Sequence, residues 1–276
     1  MKRSNRLELP QLTYRVWKVW QRDFDVFMKT LRVNFFPPLL EPIFYLAALG
    51  YGLGTFVQEI QGVPYIQYIA PALIAISMMN SSFFECTYGS FVRMYYQKTF
   101  DAIIATPISI EEVIAGEMLW GATRSLISSS IVLSVIGVFS LIARILGASP
   151  AYVLITNPLI LLIPIIALLS GLLFSAIAMC FTALAPNIDF FNYPAFLLIT
   201  PMFLVSGTFF PLYALPWAIQ VIALAVLPLT HAVNLTRGLF FGNLQSTLLL
   251  SLVWIGAVTC AFFFLSIKLM KRKLIK

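Results

Sequence analysis

The sequence predicts an all-α integral membrane protein, and three observations lead to that class. Hydrophobic residues make up 60% of the 276 residues, charged residues make up only 11%, and the mean hydropathy is +0.92. A soluble domain of this length does not need so much apolar sequence. The apolar residues fall in long runs, and the alternating ten-residue segments of transmembrane β-barrels are not evident.

Six apolar runs are predicted to cross the membrane, with no linker, internal repeat or second domain between them. Each run reaches the roughly 20 residues that a helix needs to span hydrocarbon. We therefore predict a single transmembrane domain over residues 1–276, with spans at 35–57, 65–90, 112–142, 153–182, 190–210 and 246–270.

Residues 11–32, before the first span, are predicted to form an amphipathic helix. Apolar side chains recur every three or four residues, and basic side chains occupy the other side. This distribution is typical of a helix that lies in the membrane interface. Its apolar side is expected to include Trp17, Trp20 and Phe24.

The lysine and arginine residues are unevenly distributed and predict the orientation. Fifteen of the 18 lie before residue 34, at residues 93–98 or after residue 267. Such residues are enriched on the cytoplasmic side of membranes. We predict that both termini are cytoplasmic, in a bacterial inner membrane, which requires an even number of spans. The net charge of +7 then reflects contact with anionic membrane lipid and not with nucleic acid.

A short polar island, residues 97–107, separates the second and third spans. Phe100, Ile103 and Ile104 have the spacing of one helical face, and Pro107 is expected to end that helix. A small helix held between two spans can transmit a displacement from a soluble partner to those spans. An ordinary polar loop is the alternative, and spacing alone does not favour either.

The island supplies the candidate partner-contact residues, among which Phe100, Asp101 and Ile103 are expected to make direct contacts. The third span begins after it, where Ser109 and Glu112 have the spacing of a capping box. The candidate set is Gln97, Lys98, Thr99, Phe100, Asp101, Ala102, Ile103, Ile104, Thr106 and Pro107.

The segment 211–230 is predicted to form two short re-entrant helices before the last span. Pro211, Pro216 and Pro228 divide it into apolar pieces that are too short to cross the membrane. Backbone of this kind must be held by protein, because lipid cannot satisfy its hydrogen bonds. A seventh span is the alternative, but it would place the basic C-terminus outside.

Four charged residues fall within the predicted spans: Glu41, Glu85, Glu117 and Arg124. Intramembrane charges suggest function by default. A transport path is one interpretation. We favour structural pairing of Arg124 with a nearby glutamate, because four shallow charges are too few for a proton relay.

Several kinds of catalytic or ligand site are not indicated. The chain lacks the GxxxxGK[ST] phosphate loop and contains one histidine, His231, with no serine-nucleophile motif to partner it. A multi-histidine metal site is therefore not possible. The pair Glu111 and Glu112 is interpreted as helix capping. We predict that the chain is not itself an enzyme.

The remaining features are interpreted as helix packing. Cys86, Cys180 and Cys260 lie in apolar runs without pairing or ligand spacing, so we interpret them as small apolar residues. Gly50 and Gly54 form a GxxxG pattern, which predicts a close approach between helices.

The order of these elements resembles the ABC-2 type permeases: interface helix, six spans, island after the second span and re-entrant pair before the sixth. Within that family the sequence is similar to the lipo-oligosaccharide (NodJ-like) export branch. The stretch 88–122 carries the specific part of the resemblance, supported by residues 41–42, 50–54 and 227–231.

The resemblance implies a transmembrane subunit that works as a homodimer. Two copies of a separate ATPase subunit would bind ATP and Mg²⁺, while this chain would hold no cofactor. Residues 97–107 would be the coupling helix, and the second and fifth spans would line the path. The substrate would be an amphiphilic glycan or glycolipid, moved outward across the inner membrane.

Other functions remain open from the sequence. A permease of the same family could move a different hydrophobic substrate, such as a drug or lipid, since fold outlasts substrate. A stand-alone secondary transporter would need polar residues near the bilayer midplane, where this sequence is mostly apolar. A membrane-embedded enzyme would need a nucleophile or metal set that the sequence does not show.

Overall fold

The computed structural model describes residues 12–57, 59–60, 62–155 and 157–274, which are predominantly helical. A two-residue antiparallel hairpin, β1 (Glu59–Ile60) and β2 (Val63–Pro64), follows the first span, with Ile60 paired to Val63. The α-helices are α1 Arg15–Lys29, α2 Leu31–Tyr45, α3 Tyr65–Phe84, α4 Thr99–Ile104, α5 Ile110–Ile145, α6 Ile163–Leu184, α7 Asn192–Pro194, α8 Thr200–Val205, α9 Trp217–Val226, α10 Pro228–Phe241 and α11 Ser246–Leu274.

Six stretches of described helix are long and apolar enough to cross a membrane, which agrees with the six predicted spans; the bent pair α9 and α10 would add a seventh if it is one broken span. Several combine α-helix with 3₁₀- or π-helical turns, and their ends differ from the predicted ones by a few residues. The six are Leu31–Thr55, Tyr65–Tyr96, Ile110–Ile145, Pro158–Leu184, Ile188–Val205 and Ser246–Leu274.

The largest difference at any one span end is that of the second span, which continues to Tyr96 and does not end at residue 90. Two π-helical segments, Glu85–Gly89 and Val92–Tyr96, extend α3 toward the polar island. Segments of this kind occur frequently at functional sites. The extension brings Arg93 into the helix, where the sequence placed it in the loop that flanks the island.

The core lies where α3, α5 and α6 pack closely through small residues. A side chain at Gly171 would overlap Ser125 and Ala122 of α5, and the Ser125 hydroxyl donates to the Ala167 carbonyl at 2.9 Å. No hydrophobic driving force brings helices together in a membrane, and small residues let them approach closely enough to pack. Large buried side chains such as Phe83 fill the remaining space.

Only one of the two glycines in the GxxxG pattern makes the predicted close approach to another helix. A side chain at Gly50 would overlap Ile66 of α3, whereas Gly54 approaches only Leu49 of its own segment. The segment Leu46–Gly52 is π-helical, and a π-helix has a longer turn than an α-helix. Residues four apart therefore no longer share a face, which the sequence pattern cannot reveal.

The helices before the last span lie further along the chain than the segment predicted at 211–230. α9 and α10 meet at 86°, with the break at Leu227, and α10 continues to Phe241. This bend fits a re-entrant loop or a broken span, so re-entry stays a prediction. α10 is largely buried against α3 and α11, in agreement with the need for protein around such backbone.

The N-terminal helix is shorter than the predicted 11–32, and residue 11 lies outside the described residues. α1 spans Arg15–Lys29 and packs along α5 with Val19, Asp23 and Phe27 buried. Trp17 stacks on Trp20, yet 53% of its surface is exposed. The side of α1 that faces the protein is therefore narrower than its apolar side, which includes the exposed Trp17.

One end of the helix bundle carries α1, α4 and the C-terminal turn of α11, and we call it the basic face. Arg15 donates to the Pro107 carbonyl beside α4, and Lys271 pairs with Glu111 at the start of α5. Lys273 donates to the carbonyls of Thr182 and Ala185, at 3.0 and 2.6 Å. These contacts bring the basic segments of the sequence to one side.

At Gly116 α1 and α5 are in very close contact, because a Cβ there would lie 2.5 Å from that of Val19. We expect Gly116→Ala to cost about 1–3 kcal/mol of stability through overpacking. The measurement is thermal unfolding of the purified protein in detergent.

Gly256→Ala is the matched control, because nothing lies within 4 Å of a Cβ at Gly256 in α11. There alanine is expected to raise stability by up to about 1 kcal/mol through helix propensity. Equal effects of the two substitutions would contradict the close α1–α5 contact.

Candidate functional site

The short helix α4 is the element that the sequence singled out as the coupling helix. Lys98, immediately before it, has φ of 54°, the only positive φ of a described non-glycine residue. This left-handed conformation costs roughly 1–2 kcal/mol and turns the chain sharply from the α3 extension into α4. The candidate coupling residues are thus held at a strained corner.

The two sides of α4 face different surroundings. Phe100 is completely buried in the main core, and Ile103 and Ile104 are half-buried against it. Asp101 and Ala102 are exposed. The expectation that Phe100 contacts a partner directly is therefore wrong for this conformation, because its ring anchors α4 to the permease.

The surface available to a partner consists of the polar residues around that anchor. Thr99 is half-buried, whereas the others are exposed. The Thr106 hydroxyl donates to the Ile103 carbonyl at 2.6 Å and closes the turn after the helix. The exposed candidates are Gln97, Lys98, Asp101, Ala102, Thr106 and Pro107.

The C-terminal side of the island is fastened to both neighbouring helices. The Ser109 backbone N–H donates to Glu112 at 2.8 Å and the Glu112 N–H to the Ser109 hydroxyl at 3.3 Å, which confirms the capping box. The backbone N–H of Thr13, just before α1, also donates to Glu112 at 3.2 Å. The residue before α1 and the start of α5 are thus joined by one cap.

Behind α4, Arg93 is the centre of a buried ionic network. Its guanidinium lies 2.6 Å from Glu117, 2.8 Å from Glu85 and 3.7 Å from Asp23. The Ser90 hydroxyl also donates to Glu117 at 2.6 Å. The planar, multiply donating guanidinium suits such a site, where a lysine could not bridge the same groups.

Arg124, the cation that the sequence singled out, lies at the edge of this network. Its guanidinium is 3.3 Å from Glu85, and it also donates to Asn34 of α2 at 3.3 Å. The Trp120 indole N–H donates to the same glutamate at 3.0 Å. Glu117, the other expected partner, pairs with Arg93 and not with Arg124.

Asp23 and Arg93 are the site residues that sequence reasoning missed. The predicted second span ends at residue 90, so it leaves Arg93 outside the helix. Asp23 lies between Val19 and Phe27 at four-residue spacing, and this stripe could have revealed an acid on the buried side of α1. Together the network joins α1, α2, the extended α3 and α5.

Asp23 has an unusual environment for an acid. Its side chain is 1% exposed, and within the described structure neither carboxyl oxygen makes a hydrogen bond. Burial, followed by the negative charge of Glu117, raises the pKa of Asp23 to about 8, and nearby Arg93 and Arg22 offset this only in part. Asp23 is therefore the titratable member of this cluster near neutral pH.

His231, the single histidine, is enclosed by protein contacts on α10. Its ring stacks on Trp254 with centroids 4.2 Å apart, and its two nitrogens lie 3.1 Å from the Ser251 hydroxyl and 3.0 Å from the Leu224 carbonyl. A serine partner therefore exists, although no motif predicted it. The contacts hold α10 against α11.

The cysteines and metal ligands add no further site in the described parts of the chain. Cys86 and Cys180 are buried, as expected for small apolar residues, whereas Cys260 is exposed on α11. No group of three His, Cys, Asp or Glu side chains with metal-binding geometry occurs among the described residues.

We expect Arg93→Met to destabilise the protein by about 3–5 kcal/mol, because buried carboxylates are left without their partner. Thermal unfolding in detergent measures the loss. Combining it with Glu117→Gln should restore part of the stability, since one of the opposed charges is then removed.

The matched control is Arg144→Met at the other end of α5, where the exposed arginine donates to the Ile155 carbonyl at 2.8 Å. Its loss should cost about 1 kcal/mol or less. A comparable cost at both arginines would argue against a special role for the buried network.

The raised pKa of Asp23 predicts that the free energy of unfolding decreases as the pH rises. In the unfolded chain the carboxyl group of Asp23 titrates near pH 3.8, whereas in the folded protein it retains its proton up to about pH 8. The folded state therefore binds more protons between these values, and stability falls across that range. Asp23→Asn, which resembles the protonated acid, should flatten the midpoint-against-pH curve between pH 6 and 9. An unchanged slope would contradict the assignment.

Comparisons with known proteins agree with this architecture. Residues 14–241 match the family model described as ABC-2 type transporter. The chain is 36% identical over 259 residues to Nodulation protein J of Rhizobium meliloti (strain 1021), covering 93% of this chain and 92% of that protein. It is 31% identical over 268 residues to Nodulation protein J of Bradyrhizobium diazoefficiens, covering 97% of each.

A more distant relative is the inner membrane transport permease YadH of Escherichia coli (strain K12). It is 25% identical over 198 residues, which cover 72% of each chain. The family match extends over most of the chain and includes α1, α4 and the buried network. The chain therefore belongs to the ABC-2 type transporter family, as a membrane-spanning transport permease.

Proposed function

We propose that this chain is the transmembrane subunit of an ATP-driven exporter of an amphiphilic glycan or glycolipid. ABC-2 permeases work with ABC ATPase partners. In the proposed complex, two copies of this chain form a homodimer in the bacterial inner membrane. Each binds one copy of a separate ATPase, and ATP and Mg²⁺ are held by that partner.

The observation that carries the proposal is the two-sided character of α4. Phe100 fixes one side in the core, while Asp101 and Ala102 remain exposed at the basic face. A helix that is rigidly anchored on one side and polar on the other can transmit a displacement instead of absorbing it. We assign the exposed side to the ATPase contact.

A mechanical connection from α4 to the spans supports the same assignment. Arg15 and Glu112 fasten the island to α1 and α5, and the Arg93 network joins these helices to α2 and α3 behind it. Closely packed, hydrogen-bonded elements move as units between discrete arrangements. Movement of α4 should therefore displace several helices together.

The orientation follows from the clustering of charge on the basic face, which we place in the cytoplasm with both termini. This agrees with the enrichment of Lys and Arg on the cytoplasmic side and presents α4 to a soluble ATPase. The substrate class rests on the similarity to the nodulation proteins. A drug or another lipid is the alternative cargo within the same family.

The test of coupling is Asp101→Arg, compared with wild type in proteoliposomes that contain the permease and its ATPase. We expect ATP-dependent export to fall by about tenfold or more, because reversal of an interface charge costs several kcal/mol. The thermal unfolding midpoint should not change, since Asp101 is exposed.

The matched control is Glu59→Arg in the hairpin after the first span, an exposed acid that we place on the opposite side of the membrane. Its export should remain at the wild-type level. Normal ATPase stimulation and export by Asp101→Arg would refute the coupling assignment. Transport by the permease without any ATPase would favour a secondary transporter.

A further inference from the structure

A polar cavity lies inside the membrane region between α2, α3 and α5. It has a volume of about 350 Å³, near the lower end of the roughly 300–1,000 Å³ typical of ligand pockets. We call it the polar cavity. Most of its surface is apolar, and the polar side chains that line it are Asn34, Glu41, Ser77, Asn80, Ser81, Ser128 and Arg124.

Several polar groups of this cavity lack the partners that a membrane interior normally requires. Within the described structure, neither Glu41 nor Asn80 makes a side-chain hydrogen bond. Pro37 and Pro38 of α2 have no N–H, so the carbonyls of two cavity-lining residues lose their usual helical donors. Polar groups at membrane depth need partners, and a ligand rich in hydroxyls would supply them.

An apolar groove adjoins the polar cavity along α2 and α5. It has a volume of about 840 Å³ and is lined mostly by aliphatic side chains, among them Leu39, Ile43 and Val138. Leu31 and Ile127 line both spaces. The two spaces therefore form one continuous site with a polar end and an apolar end.

We propose that this continuous site binds one amphiphile, with an uncharged, polyhydroxylated headgroup in the polar cavity and its acyl chain in the apolar groove. This inference locates the binding site for the substrate of the proposed exporter, so it rests on that proposed function. Arg124 lines the polar cavity and also belongs to the network at the basic face. The amphiphile therefore enters sideways from the leaflet next to that face.

The charges in the cavity favour a neutral headgroup over a phosphate. Arg124 is already paired with Glu85 at 3.3 Å and with Asn34, so it is not a free anion site. Glu41 would repel a phosphate while accepting hydrogen bonds from sugar hydroxyls. The apolar face of a second copy of this chain could not satisfy Glu41 and Asn80.

The test uses the full-length chain in nanodiscs, without ATPase or nucleotide, and three photoreactive probes with the same twelve-carbon chain. The probes are dodecyl glucoside, dodecyl phosphate and dodecane, each with a diazirine in the chain. Cross-linked residues are mapped by mass spectrometry, and competition with unlabelled glucoside gives affinity. Omitting the ATPase separates failure of this site from failure of the coupling assignment.

Dodecyl glucoside is expected to label α2 and α5 within the groove, saturably, while dodecane labels lipid-facing helices without saturation. Asn80→Leu should weaken glucoside binding by about tenfold through loss of its hydrogen bonds. Glu41→Gln should keep glucoside binding but raise binding of dodecyl phosphate. Folding of each variant is checked by its thermal unfolding midpoint.

A groove-filling pair tests the apolar end. Ser134→Trp, at an exposed groove position of α5, should abolish saturable labelling, whereas Cys260→Trp on exposed α11 should not. The proposal is overturned by equal labelling with all three probes, by tighter binding of phosphate to the wild type, or by cross-links between two permease chains through the groove.

Discussion

The buried cluster around Arg93 is the interaction on which the basic end of the structure depends. The carboxylates of Glu85 in the α3 extension and Glu117 in α5, together with the acid Asp23 of α1, approach one guanidinium away from water. Isolated charges in such surroundings are very costly, so each member requires the others. The position of α1 on the bundle and the length of the second span are both consequences of that requirement.

In the proposed complex, coupling follows from the small number of independently moving elements between α4 and the spans. α4 is anchored by Phe100, its following turn is bonded to α1, and the start of α5 is capped by Glu112. These contacts leave little freedom for α4 to move alone. We propose that the ATPase acts on the exposed side of the same helix.

Arg124 connects this mechanical region to the proposed substrate site. Its guanidinium bonds Glu85 of the network and Asn34 of the cavity wall, and it lies over the Phe27 ring of α1 at 4.7 Å. A rearrangement of the network would change the cavity lining directly. Occupancy of the cavity would in turn bias the network, since coupling between two sites is reciprocal.

The sequence by itself determined the membrane class, six apolar spans, the capping box at Ser109 and the place of the short helix, because hydropathy and capping are local properties. Only the tertiary structure revealed the π-helical extension that carries Arg93, the burial of Asp23 and Phe100, and the loss of the Gly50–Gly54 face. Those features depend on which helices meet and how tightly. A sequence pattern cannot specify this, since the partners of charged residues and the closest contacts lie on other helices.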